Sequence, residues 1–398
     1  MIPQIFLRRG KEESLARCHP WIFSGAIERI VCDGESIPEG EIVDVFGKKG
    51  DFLACGHYQI GSIAVRVLSF EREEIDAAWW REKIASAYDV RRTLHLTDSE
   101  QTTCYRLVHG EGDSLPGLVV DIYGSVAVVQ CHSVGMYRSR QQIADAICDV
   151  FGERITAIYD KSAQTVPYKA NLNPVDGYLY GSVAEKDNVV LENGHKFLVN
   201  WEEGQKTGFF IDQRFNRELV GKYAAGRTVL NTFCYTGGFS VYALAGGAKE
   251  VCSIDASERA VRLADANVAL NFGDGAAHSS IACDAVEYLK DIGDKYDMII
   301  LDPPAFAKHH KVLGNALQGY KRLNARAMSQ IRKGGILFTF SCSQAVSKEL
   351  FRTTVFTAAA IAGRKVRILH QLTQPTDHPI NIYHPEGEYL KGLVLYVE

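Results

Sequence analysis

The chain has 398 residues, 46% apolar and 23% charged, with a formal charge of −4, the balance of an ordinary soluble globular protein long enough for two or three buried cores. No apolar run reaches the roughly eighteen residues of a bilayer span, and the start, Met1-Ile-Pro-Gln-Ile-Phe-Leu-Arg-Arg9, lacks a signal peptide's apolar core and cleavage site, so a cytoplasmic protein without a membrane partner is expected. Ten scattered cysteines with no Cys-x-x-Cys pair exclude a dense disulfide framework and a structural zinc site, and no metal is expected.

Residues 1–72 contain three short strand patterns, Glu41 to Phe46, Phe52 to Tyr58 and Ser62 to Leu68, separated by turn signals such as Gly47-Lys-Lys-Gly50. They predict a small barrel or open β domain. Residues 73–184 open with a helix carrying Trp79, Trp80, Ile84 and Tyr88 on a helical period. Strands around Leu107 to Gln130, a helix near Met136 to Phe151 and a strand near Ile155 to Tyr159 make this an α+β module. Its acidic turn, Glu111 and Asp113 between glycines, fits a plain turn better than a cation site. In the linking segment 185–200, Asn193-Gly194 between apolar runs predicts a hairpin.

From residue 201 to 398 strands alternate with helices. Strand patterns lie at Thr228 to Phe233, Glu250 to Ile254, Ser279 to Cys283, Tyr296 to Leu301, Gly335 to Phe340 and Lys391 to Val397, with helices such as Glu258 to Leu270 and Gln318 to Ile331 between them. This predicts an α/β, doubly wound, mostly parallel sheet, whose ligands bind at the carboxyl ends of the strands. After the first strand, Asn231-Thr-Phe-Cys-Tyr-Thr-Gly-Gly-Phe-Ser240 is a glycine turn opening a helix, and Asp255 ends the second strand. A glycine turn lets backbone approach a cofactor, and an acid at the next strand end accepts hydrogen bonds from ribose hydroxyls. There is no Gly-x-Gly-x-x-Gly, which lowers a dinucleotide reading. Asp284 and Asp302 follow at the next two strand ends. Any one of the three acids fits a helix cap, but three in register followed by Pro303-Pro304-Ala305-Phe306 point to a site.

Cys342, in Ser341-Cys342-Ser343, ends the fifth strand pattern forty residues after Asp302. Neighbouring parallel strands would set this thiol opposite a carboxylate and a Pro-Pro turn, a place for chemistry on a flat ring. Between them, residues 305–335 carry seven Lys or Arg and no acid. A charge run is usually a solvated helix face, but one beginning at the Asp-Pro-Pro loop favours a phosphate-facing surface, with Lys321, Arg322 and Arg326 as phosphate contacts.

On these residues the chain resembles the class I S-adenosylmethionine methyltransferases of the large-subunit ribosomal RNA 5-methylcytosine (RlmI) type. The carrying segments are Phe209-Phe-Ile-Asp-Gln-Arg214, Asn231 to Ser240, Asp255-Ala-Ser257, Leu301 to Phe306, Ser341-Cys-Ser343, the tail Pro385-Glu-Gly-Glu-Tyr-Leu390 and His109 to Leu118. The resemblance implies a PUA-type RNA-binding domain at residues 1–72 and a cofactor, S-adenosylmethionine, held by Phe210, Asp212, Arg214, Tyr235, Thr236, Gly237, Asp255, Asp284, Asp302 and Pro303. Asp255 would hold the ribose and Asp284 the adenine amino group.

It also implies methylation of cytosine carbon 5 in large-subunit ribosomal RNA, or in an assembling large subunit, with Cys342 as nucleophile. Asp302 would meet the nitrogen edge of the base, and Lys308 would assist electrostatically or hold phosphate. Carbon 5 is too weak a nucleophile to take a methyl group until a thiolate has added to carbon 6. Many RNA 5-methylcytosine enzymes carry a second cysteine where this chain has Pro304, a departure that leaves product release unassigned. The alternatives are a ribosomal RNA guanine-N7 methyltransferase, which needs no thiol, and an RNA-binding assembly factor with a vestigial methyltransferase domain. A homodimer is left open.

Overall fold

The computed structural model describes residues 1–167, 172–184, 188–307 and 312–398. Two compact units emerge. The first comprises Met1–Val190, Val199–Phe209 and Thr376–Gly387, and the second Leu191–Leu198, Phe210–Pro375 and Glu388–Glu398.

The first unit starts with β1 (Gln4–Leu7), the short helix α1 (Glu13–Ala16), β2 (Trp21–Phe23), β3 (Ile27–Val31), β4 (Ile42–Phe46), β5 (Phe52–Tyr58) and β6 (Ile63–Ser69). These strands form one sheet in the order β2-β6-β5-β4-β1-β3. The period of two is visible in its core: Ile5 and Leu7, Val43 and Val45, and Val65 and Val67 all point inward. The three strand patterns read from the sequence are β4, β5 and β6. The earlier strands escaped because β1 alternates over only four residues, and β2 and β3, three and five residues long, have no clean alternation of burial.

Next come α2 (Ala77–Thr93), capped by the Asp76 carboxylate on the Trp79 N–H at 2.9 Å, and β7 (Cys104–His109), β8 (Leu118–Tyr123) and β9 (Val126–Cys131). The expected helix near Met136 to Phe151 is two helices, α3 (Val134–Arg138) and α4 (Arg140–Phe151), meeting at Ser139. α3 lies so close to β5 that a Cβ on Gly135 would fall 2.1 Å from the His57 ring. β10 (Ala157–Asp160) and β11 (Gly177–Gly181) complete a five-stranded sheet, β11-β10-β9-β8-β7.

The acidic turn is occupied by protein donors. Trp21 Nε1 donates to Glu111 at 2.8 Å, and Asp113 receives the fully buried Arg91 guanidinium and the His109 N–H. The predicted hairpin forms as β12 (Asn188–Glu192) and β13 (His195–Val199), with Asn193 and Gly194 both at positive φ.

In the second unit the order is α5 (Arg214–Ala224), β14 (Thr228–Thr232), α6 (Gly238–Ala245), β15 (Glu250–Asp255), α7 (Glu258–Phe272), β16 (His278–Ala282), the single turn α8 (Ala285–Tyr288) and β17 (Met298–Leu301). Then follow α9 (Leu313–Gln330), β18 (Gly335–Ser341), α10 (Lys348–Ala362), β19 (Val366–Leu372) and β20 (Lys391–Val397). The sheet order is β16-β15-β14-β17-β18-β20-β19, parallel from β16 to β18, with β20 antiparallel to both neighbours.

β17 and β18 are buried along their whole length, as central strands covered on both faces must be. Alternate residues serve opposite cores. Ile299, Leu301 and Leu337 pack with Tyr320, Leu323 and Ala327 of α9 and Phe351 and Val355 of α10. Met298, Ile300, Ile336 and Phe338 pack with Val220 and Ala224 of α5 and Phe239 and Ala243 of α6. The strand order reverses between β14 and β17, so the loops leaving their carboxyl ends flank a crevice, the usual ligand position in such sheets.

Candidate active site

The loop from β14 to α6 bends sharply, with positive φ at Phe233, Tyr235 and Gly237. Gly237 opens α6 at φ 73°, and a Cβ there would stand 2.8 Å from the Ala264 Cβ. Only glycine allows this approach of backbone to α7. The bend is tied to the next strand by Asp255, which accepts the Tyr235 N–H at 3.0 Å and the Ser257 N–H at 2.9 Å. A carboxylate has about four acceptor positions, so Asp255 keeps capacity for the ribose expected there. Beneath the loop a buried polar chain runs from Asn231 to Ser240 (2.9 Å) and on to Ser253 (2.7 Å) and His278 (2.7 Å). It fixes α6 to the sheet. Thr236 is buried in the same turn.

A second wall comes from the turn Ile211–Gln213 ahead of α5. The Phe210 ring meets Tyr235 edge to face at 5.2 Å. Asp212 accepts the Tyr389 hydroxyl at 2.7 Å through one oxygen, while Oδ1 is buried without a hydrogen-bond partner. Gln213 donates Nε2 to Asp302 at 3.1 Å and receives Asn216 at 2.6 Å. The expected cofactor residue Arg214 is almost fully buried, 3.6 Å from Glu192. Glu192 also holds Arg217 through two bonds of 2.7 Å, and Arg217 donates to the Phe210 carbonyl at 2.9 Å. Sequence reading missed Glu192, because the hairpin signal locates the turn and says nothing of the strand partner.

The third wall is the end of β17 and β18. Leu301 pairs with Thr339, so Asp302 and Cys342 leave the sheet on adjacent strands. Asp302 retains some exposed surface, yet burial, reinforced by the Asp212 carboxylate, pushes its pKa up to about 7. Pro303 is buried behind it, Pro304 is exposed, and Phe306 packs on Tyr320 at 4.6 Å. Cys342 is half-buried between two buried serines. Ser343 Oγ accepts the Ala307 N–H at 3.2 Å and bonds the Tyr320 hydroxyl at 2.9 Å, joining the two loops. By contrast, burial drives the Cys234 thiol far above its ordinary range, with Asp255 adding to the shift.

The remaining expected residues are dispersed. Asp284 caps α8 on the Glu287 N–H at 2.9 Å, so its helix-cap role is filled, with the second oxygen left for a ligand. Lys308 lies outside the described residues. On α9, Arg322 is exposed, Lys321 is half-buried, and Arg326 donates to the Val286 carbonyl at 3.2 Å.

A seven-stranded sheet with one reversed strand, carrying a glycine turn and an acid at its reversal point, defines a class I S-adenosylmethionine-dependent methyltransferase. The Gly237 approach and the partnerless buried Oδ1 of Asp212 fit that cofactor, a group with a cationic sulfonium and hydrogen-bond donors. The profile of the S-adenosylmethionine-dependent methyltransferase family matches residues 163–381, and that of the PUA-like domain residues 5–70.

Among curated relatives, the chain is 41% identical to ribosomal RNA large subunit methyltransferase I of Aeromonas hydrophila and 42% to that of Tolumonas auensis, each over 99% of both chains. A crystal structure described as a methyltransferase complexed with SAH superposes at TM-score 0.85 with 26% identity, covering both chains fully. The chain therefore belongs to the ribosomal RNA large subunit methyltransferase I family. No helix among the described residues is long and apolar enough to cross a membrane.

Proposed function

We propose that this enzyme methylates carbon 5 of a cytosine in large-subunit ribosomal RNA, through a covalent adduct with Cys342. The observation that carries the reading is the placement of a half-buried thiol and a carboxyl of pKa about 7 on adjacent strand ends beside the glycine turn. A guanine-N7 enzyme would need no thiol in that loop. The relatives' names supply the RNA class.

Bound S-adenosylmethionine supplies an electrophilic methyl group on a sulfonium. Tyr235, Gly237, Asp255 and Asp212 would hold it, with Arg217 and Glu192 bracing the Phe210 turn. Cys342 loses its proton to solvent, and its sulfur forms a bond to carbon 6 of the base. The pair released from the carbon 5–carbon 6 double bond makes carbon 5 nucleophilic toward the methyl group, whose bond to the cofactor's sulfur would break with its pair left on sulfur as the departing thioether. Asp302, protonated at and below neutral pH, donates to the ring nitrogen and stabilises the negative charge that develops there. Transfer of the carbon 5 proton to water then returns its pair to the ring double bond, and Cys342 leaves as a thiolate with the carbon 6–sulfur pair. Phe306, against Tyr320, offers an aromatic face for a base taken out of its stack.

The test uses labelled S-adenosylmethionine and unmodified large-subunit ribosomal RNA, with wild type and Cys342→Ala compared. Wild type is expected to make 5-methylcytosine, and the variant none while still binding cofactor. Retained turnover in the variant would reject the nucleophile, and 7-methylguanine from both proteins would replace the reaction.

A further inference from the structure

Lys391 is the first residue of β20, and its pairing partner across the antiparallel ladder is Ser341, immediately before Cys342. Its side chain is nearly inaccessible to water, with 3% of the residue exposed. A lysine ammonium is seldom buried unless something compensates it. Here Nζ donates to the Ser343 carbonyl at 2.7 Å and to the Val346 carbonyl at 2.5 Å. Both carbonyls belong to the turn that carries the thiol out of β18. Burial lowers the lysine's pKa to about 8, and the Cys342 sulfur is the first of the charges that oppose this fall. At pH 7 the group therefore stays cationic. The other charged groups acting on it are Glu388 and Lys348, which pair with each other at the surface. Tyr320 faces Cys342 from α9, and Asp302 ends the adjacent strand.

We propose that Lys391 is the positioning residue of the nucleophile, its ammonium group locking the 342–346 turn through two carbonyls and favouring the thiolate form of Cys342. The attraction is reciprocal: a thiolate that stabilises the ammonium is stabilised by it to the same extent. Only the catalytic consequence rests on the Cys342 reading above. The ionisation of the thiol is a property of this turn whatever the reaction.

The test is the pH dependence of Cys342 alkylation by iodoacetamide, followed on its own peptide by mass spectrometry in the full-length protein. In wild type, Cys342 is expected to reach its half-maximal rate at lower pH than the half-buried Cys18 of the same molecules, an internal comparison that needs no variant. Lys391→Met should raise the Cys342 midpoint by about one unit, a rate about tenfold lower at pH 7, and leave the Cys18 profile alone. Lys391→Arg should restore most of the shift.

Binding of S-adenosylmethionine, measured by calorimetry, reports that each variant is folded. An unchanged Cys342 midpoint in folded Lys391→Met, or a wild-type midpoint no lower than that of Cys18, overturns the proposal. Methyl transfer retained by Cys342→Ala would instead overturn the nucleophile while leaving the alkylation result intact, so the two failures are separable.

Discussion

At the residue scale, Asp302 shows how a position sets chemistry. Its side chain is the ordinary acid of a strand end, and what changes it is removal from water next to Asp212. Its folded pKa, about 7, lies above an unfolded value near 3.9. The stability tied to its protonation is therefore complete below about pH 4 and is lost as pH rises through 7. Asp302→Asn should remove this fall. The change in unfolding free energy from pH 5 to pH 8, read from urea titrations, should differ between wild type and variant by on the order of 1–4 kcal/mol, the buried neutral histidines such as His57 and His132 contributing equally to both. Methyl transfer should drop by at least about a hundredfold, the usual minimum for loss of a positioned acid. An identical change from pH 5 to pH 8 in wild type and variant would sink the assignment.

At the element scale, the glycine turn is a contact between a loop and a helix. Gly237→Ala has to accept both a left-handed φ, about 1–2 kcal/mol for a residue with a Cβ, and an overlap with Ala264 at 2.8 Å. Gly363→Ala, in the same left-handed conformation (φ 65°, ψ 26°) with nothing within 4 Å, meets the first cost alone. The difference in their thermal midpoints isolates the close approach. Gly237→Ala should also weaken cofactor affinity, whereas Gly363→Ala should not. Equal effects on both readouts would mean that the turn does not shape the cofactor site.

The element scale also shows what a strand pattern conveys. β17 and β18 are legible as continuous apolar runs because both faces are covered, while β19, half-exposed along much of its length, offers no such signal.

At the scale of the whole molecule, charge is arranged locally. A chain of net charge −4 still carries an acid-free stretch of thirty-one residues leading into and along α9. Removing two phosphate contacts, with Lys321→Ala and Arg322→Ala together, should lower RNA affinity. It should also flatten the slope of log affinity against log salt by about 1.4–1.8. Arg326→Ala should do less, because its guanidinium already serves the Val286 carbonyl. Filter binding across a salt series checks both, and an unchanged slope in the double variant would remove α9 from the RNA surface.

By itself the sequence determined the class of the second unit, since strand and helix periods, the glycine turn and acids at strand ends are all local patterns. It also singled out Asp255, Asp302 and Cys342, because each ends a recognisable apolar run. Tertiary structure alone decided which distant residues hold them. Gln213 reaches Asp302, Tyr389 reaches Asp212, Glu192 braces Arg217, and Lys391 lies under the Cys342 turn. No periodicity links positions 48 or 177 residues apart. They meet because β20, antiparallel to β18, starts at the carboxyl end of β18 with Lys391 opposite Ser341, and that pairing is a property of the assembled sheet.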